Sequence, residues 1–255
     1  MSGWKDFDDE VARWRDAGRT VELWWRDDDA IDATPALDRL IDVQRASQAP
    51  LALAVVPANA TAALAARLAH EHGIDVLQHG YGHVNHAQPE AKKTELGAER
   101  PAMMVLGELG TGWMALERLF GLRALPVMVP PWNRIAPMLV PALPEIGFTG
   151  LSTFGVRRRA APVRGLRQVN THVDLVDWRR NRVFVSAEAA LATLVATLAV
   201  GRQGAAEPVG LLSHHLVMDE GAWDFLRSLL GKAAETPGVE TRSASELFAS
   251  REARS

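Results

Sequence analysis

His79-Gly80-Tyr81-Gly82-His83 sets two imidazoles four residues apart, directly after the run Ile74-Asp75-Val76-Leu77-Gln78. On a helix or a tight helical loop, side chains at that spacing face the same way. Two neutral nitrogen ligands aimed together are half of a zinc-type donor set. Two polar residues repeating in a surface loop would look the same, so the pair gains weight only from the rest of the chain. A second stretch, Arg26-Asp27-Asp28-Asp29, closes the run Val21-Glu22-Leu23-Trp24-Trp25. Adjacent carboxylates repel one another, and a cation at a strand end offsets that repulsion. A third, Pro130-Pro131-Trp132-Asn133-Arg134, is a stiff loop suited to presenting backbone N–H groups to a substrate oxygen. Two more runs end on ionisable groups: Asp174-Leu175-Val176-Asp177-Trp178 and Ser213-His214-His215.

These stretches need elements to hold them. Val21 to Trp25, Leu51 to Val56, Ile74 to Gln78, Leu125 to Val129 and Val209 to Ser213 are short apolar runs that read as strands. Gly150 to Phe154 and Gln168 to Asp174 read as further strands. Helical spacing is expected over 35–47, 61–72, much of 89–121, 135–146, 187–200 and 219–230. Trp4, Phe7, Val11 and Trp14 form the apolar stripe of a lead-in helix, a 1–20 extension stopped at Gly18. Ser186 and Gly201 look like caps of the long apolar helix between them. Strand–helix alternation implies parallel pairing, with strand C-termini gathered on one rim where sites are built. Asp27, Asp28, His79 and His83 all fall at such ends.

The whole chain narrows the chemistry. It has 255 residues, a net charge of −3 and no basic block, which argues against a nucleic-acid groove or a membrane-attracting surface. There is no cysteine, so disulfides, thiolate ligands and a cysteine nucleophile are excluded. Any metal must be held by histidine and carboxylate. The first residues show no basic region followed by an apolar core, so the expectation is a soluble, cytoplasmic protein in one domain spanning 1–255.

In order, the strings read Asp-Asp, H-x-x-x-H, a Pro-aromatic loop, D-x-x-D-W and L-x-H. This order resembles the polysaccharide deacetylase family, the NodB-homology group of metal-dependent carbohydrate esterases (carbohydrate esterase family 4). The resemblance runs from Trp24 to about His215. It implies a distorted (β/α) barrel with mainly parallel strands. It also implies removal of an N-acetyl group from a sugar or sugar conjugate by metal-activated water. Carried over by residue, Asp27 is the general base and Asp28 the metal ligand with His79 and His83. His214 is the general acid, Asp177 orients its ring, and Pro131, Trp132, Arg134 and Trp178 meet the substrate. The expected cofactor is a divalent ion, most simply Zn²⁺. The partner is a small or oligomeric N-acylated sugar.

Two departures leave assignments open. Val129 stands where the family has the arginine that steadies the base, with Arg26 and Arg134 the candidates to substitute for it, neither placed by the sequence. Asp29 stands where the family has glycine, so base and ligand are fixed only to within one position. Gly80 replaces the family's Ser or Thr between the histidines. The same machinery acting on a small amide or ureide, or a relative that binds without turnover, are the alternative readings.

Overall fold

The computed structural model describes residues 3–204 and 207–249. The strands are β1 (Val21–Ala30), β2 (Leu51–Val55), β3 (Ile74–His79), β4 (Ala124–Val129), β5 (Gly150–Leu151) and β6 (Arg167–Gln168). They continue with β7 (Thr171–Asp174), β8 (Val176–Asp177), β9 (Val183–Phe184), β10 (Val209–Ser213) and β11 (Val239–Thr241). The helices are α1 (Trp4–Asp16), α2 (Pro35–Ser47), α3 (Ala62–Leu68), α4 (Ala102–Phe120), α5 (Ala187–Gln203), α6 (Glu220–Glu235) and α7 (Ala244–Phe248). Among the described residues, no helix is long and apolar enough to cross a membrane.

The chain divides into two compact units. The first comprises residues up to Asp28, Thr34–Leu51 and Thr171–Ala244. Here β1 pairs in parallel with both β10 and β11, and β10 pairs in parallel with β7. The α1 stripe is as the spacing predicts, with Phe7, Val11 and Trp14 buried. Trp14 Nε1 donates to the Leu198 carbonyl on α5 at 3.2 Å, so the tryptophan packs and hydrogen-bonds at once. Ser186 caps α5 by accepting from Ala189 N, but the helix runs past Gly201 to Gln203.

The second unit comprises Asp29–Ala33, Ala52–Asn170 and the residues from Ser245 on. Its strand order is β6-β5-β4-β3-β2, and the β3–β4, β4–β5 and β5–β6 pairings are parallel. Helix α4 lies on β3 and β4, burying Val105, Leu109, Gly112 and Leu116. Those positions are three or four apart, one face of a helix. Three helical expectations shrink, the first being 61–72, where α3 stops at Leu68. Residues 89–101 are irregular, interrupted by Pro89, Gly97 and Pro101, and 135–146 breaks into short 3₁₀ turns at Val140–Ala142 and Pro144–Ile146. Pro137, Pro141 and Pro144 each remove a backbone donor, so no continuous α-helix survives there.

Candidate metal centre and its carboxylates

In the second unit, β3 delivers His79 as its last residue, and the chain then turns away from helical geometry. Gly80 and His83 adopt φ of +57° and +56°. The same-side placement expected from a helical turn is therefore reached by a left-handed loop. His79 Nε2 lies 3.1 Å and His83 Nε2 3.2 Å from one oxygen of Asp29. The three ligand atoms all fall within 4.8 Å of one another. The His79 Nδ1–H donates to the Val129 carbonyl at 3.0 Å. That bond fixes the tautomer and leaves Nε2 unprotonated, the orientation a metal-ligating histidine needs. Burial, then the neighbouring His79, holds the His83 ring below its ordinary pKa, favouring the neutral, ligating form.

Three features tie this loop down. Glu95, buried, accepts from the backbone N–H groups of Tyr81 at 3.0 Å, Gly82 at 2.8 Å and Val84 at 3.4 Å. A Cβ at position 80 would lie 2.0 Å from Glu95 Oε2 and 2.6 Å from Pro131. Glycine at position 80 thus makes room for a carboxylate that organises the loop from outside. Trp132 lays its ring 4.4 Å from that of His83, and Trp132 and Asn133 are themselves in left-handed conformations, φ +55° and +56°. Left-handed non-glycine residues are costly and gather where function needs them.

Asp29 also has positive φ, +74°. Side chains alternate faces along a strand, and this twist at the end of β1 re-aims the Asp29 carboxylate. The sequence expectation that Asp28 completes the histidine pair is therefore corrected by one residue. Asp28 instead forms a two-pronged pair with Arg26, Nε to Oδ1 at 2.8 Å and Nη2 to Oδ2 at 3.0 Å, both side chains buried. Arg26 and Asp28 are two apart on one strand, so they share a face. Of the two arginines left open by Val129, Arg26 holds a carboxylate, whereas Arg134 donates to the Lys93 carbonyl at 2.8 Å.

Asp27, expected to be the base, sits in a hydrogen-bond network of its own. Asp27 is fully buried in the first unit and saturated by Ser213 Oγ at 2.6 Å, His215 N at 3.0 Å and His215 Nδ1 at 2.5 Å. Trp25 Nε1 donates to the same serine at 2.8 Å. This network, with Asp27 at its centre, was invisible in the sequence except as a doubled histidine. Asp177, expected to orient His214, caps a turn by accepting from Arg179 N and Arg180 N. The carboxylate nearest the acid candidate is Asp174, with Oδ1 3.9 Å from His214 Nδ1. Asp174 also accepts from Val176 N and from Trp178 Nε1 at 2.9 Å, and the Trp178 ring stands edge-on to His214 at 4.7 Å. Burial raises the Asp174 carboxyl, while His214 pulls the other way. His86 contacts Arg100, and His172 accepts from Gly210 N and meets Glu207, so neither joins the metal group.

The architecture is that of an α/β scaffold built on mainly parallel strands. Solved structures of the same fold are polysaccharide deacetylases: the fold is the distorted (β/α) barrel of the NodB type. A candidate polysaccharide deacetylase of Mycobacterium smegmatis is 16% identical, with TM-score 0.68 over 91% of this chain and 90% of that one. A peptidoglycan N-acetylglucosamine deacetylase is 18% identical, with TM-score 0.59 over 90% and 88%. A family 4 acetyl xylan esterase of Clostridium thermocellum, solved with a cobalt ion, is 15% identical, with TM-score 0.52 over 89% and 90%. No protein-family profile matches the sequence, and no curated protein is similar to it in sequence.

Proposed function

We propose that the protein is a metal-dependent deacetylase acting on an N-acylated sugar or sugar conjugate. The observation that carries this reading is the Asp29–His79–His83 group, its carboxylate next in sequence to an arginine-clamped Asp28. Two imidazole nitrogens and one carboxylate oxygen suit Zn²⁺ and leave room for water and substrate. When bound, such an ion supplies Lewis-acid polarisation and lowers the pKa of a water to about 7.

The chain's own residues do the rest. Asp28 accepts the proton of the attacking water, and Arg26 keeps that carboxylate aimed. His214 donates a proton to the departing nitrogen, and Asp174 steadies the charge on its ring. Trp132, its ring against His83, walls the acyl group, and Pro131 stiffens the loop beneath it. The named activities of the similar structures, on peptidoglycan N-acetylglucosamine and on acetyl xylan, support acetylated carbohydrate as the substrate class.

Metal affinity and turnover, measured separately, test the assignment. Asp29→Asn should lose the ion and the activity together. Asp28→Asn should keep the ion while turnover falls about 10²–10⁴-fold, the usual worth of a general base. If Asp28→Asn loses the metal and Asp29→Asn retains it, the assignment is reversed.

A further inference from the structure

The second unit carries a cleft of about 660 Å³ that the chemistry above does not use. Its size lies within the range of about 300–1,000 Å³ typical of small-molecule sites. Arg134, Arg157, Arg158 and Arg159 line it, with no carboxylate among the lining residues. This is a chain with more acidic than basic residues, 31 against 28. Arg158 and Arg159 are exposed and have no ion-pair or hydrogen-bond partner among the described residues. The adjacent Arg158 and Arg159 guanidinium groups, without counter-charge among the described residues, repel, and an anion relieves that repulsion while using their forked donors.

The cleft is built rather than incidental. Asn170 on its floor donates to the Gly155 carbonyl at 2.7 Å and accepts from Thr153 N at 2.9 Å. Arg157 donates to the Gln168 carbonyl. These bonds pin the arginine-bearing segment to the strand end beside it. Phe154, 45% exposed, adds an apolar wall of the kind that receives the face of a sugar ring. Its lining begins one residue from the histidine pair: Trp132 contacts His83, and the next residue, Asn133, lines the cleft.

We infer that this cleft binds an anionic group, a carboxylate or a phosphate, on the part of the substrate away from the scissile amide. The inference rests on the hydrolase reading for its orientation, and narrows the substrate to an acidic N-acylated sugar. Calorimetric titration of metal-free, chelator-treated protein tests it, because no ion is then present to capture the anion. The probes are N-acetylglucosamine, its 6-phosphate and its 6-carboxylate analogue, with inorganic phosphate as the anionic group alone.

At low salt at least one charged sugar should bind about tenfold or more tighter than the neutral one, and salt should erode that advantage. The double variant Arg158→Gln/Arg159→Gln should abolish the advantage without shifting the melting temperature. Which charged sugar gains, and whether phosphate alone binds, identifies the anion. Equal binding of charged and neutral sugars, or an advantage that survives the double replacement, overturns the inference. Should metal-loaded protein hydrolyse none of these sugars while the charge advantage stands, the deacetylase reading fails and the anion site remains.

Discussion

A carboxylate that takes a proton must be aimed and kept away from the ion, whereas a ligating one must face it. Arg26 holds Asp28 by two hydrogen bonds, and the left-handed turn at Asp29 points that side chain at two imidazoles. Glu95 acts on the same histidine pair through the loop backbone. Its carboxylate gathers three loop N–H groups, so Glu95→Gln replaces an acceptor with a donor and loosens the histidine pair. The expected result is a loss of about 10–100-fold in metal affinity, read by competition with a chelating dye. Gly80→Ala should do at least as much, since its Cβ would meet Glu95 and Pro131 well inside contact distance. An unchanged affinity in both variants would remove Glu95 from this role. Asp174 offers a pH test. Burial raises its carboxyl above the ordinary 3.8, so folding favours its neutral form. Its contribution is full below the unfolded pKa and is lost as pH rises through the folded one. Comparing urea unfolding of metal-free wild type with Asp174→Asn, the wild type should lose ground as pH rises from 3.8 through the raised pKa. A difference that stays flat or moves the other way would mean that burial does not govern this group.

Among the elements, α4 carries the sharpest contrast. Its glycines at 107, 110 and 112 look alike in sequence as a weak spot in a helix. Nothing lies within 4 Å of a Cβ built at 107 or 110, whereas one at 112 would sit 2.6 Å from Gln78 Nε2 and 3.0 Å from Pro57. Gln78 Nε2 also donates to the Leu109 and Gly80 carbonyls, tying α4 to β3 just before the His79–His83 loop. Gly107→Ala and Gly110→Ala should therefore each stabilise the protein, by up to about 1 kcal/mol, through helix propensity alone. Gly112→Ala should instead destabilise by about 1–3 kcal/mol as the contact is forced apart. Denaturant midpoints of the three variants decide the matter. Equal effects at all three positions would mean that close approach of the helix to its strand is not what holds Gly112.

For the whole molecule, an ion that binds only the folded chain must raise its stability. At a free concentration of a hundred times Kd the gain is about 2.7 kcal/mol, and in a protein of this size each kcal/mol raises the melting temperature by about 2–4 °C. Chelation should remove that gain, Zn²⁺ should restore it, and Asp29→Asn should melt at one temperature in both conditions. A wild-type melt indifferent to chelator would count against the metal centre. How far the chain announced all this differs from part to part. The order of ionisable strings at strand ends, the histidine pair and the absence of any thiolate ligand were legible, because strand and helix periodicities and residue chemistry are local properties. The parallel strand–helix alternation was legible for the same reason, while 89–101 and 135–146 were misjudged because prolines and one glycine outweighed apolar spacing. Which of Asp27, Asp28 and Asp29 faces the imidazoles was not legible. Faces alternate every residue along a strand, so a single left-handed φ at Asp29 changes the answer, and no neighbouring residue type signals it. Nor could the chain alone show that Glu95 organises the loop, that Arg26 clamps Asp28, or that Asp174 rather than Asp177 lies nearest His214. Those are contacts between side chains whose directions are set by packing, and only the folded structure decides them.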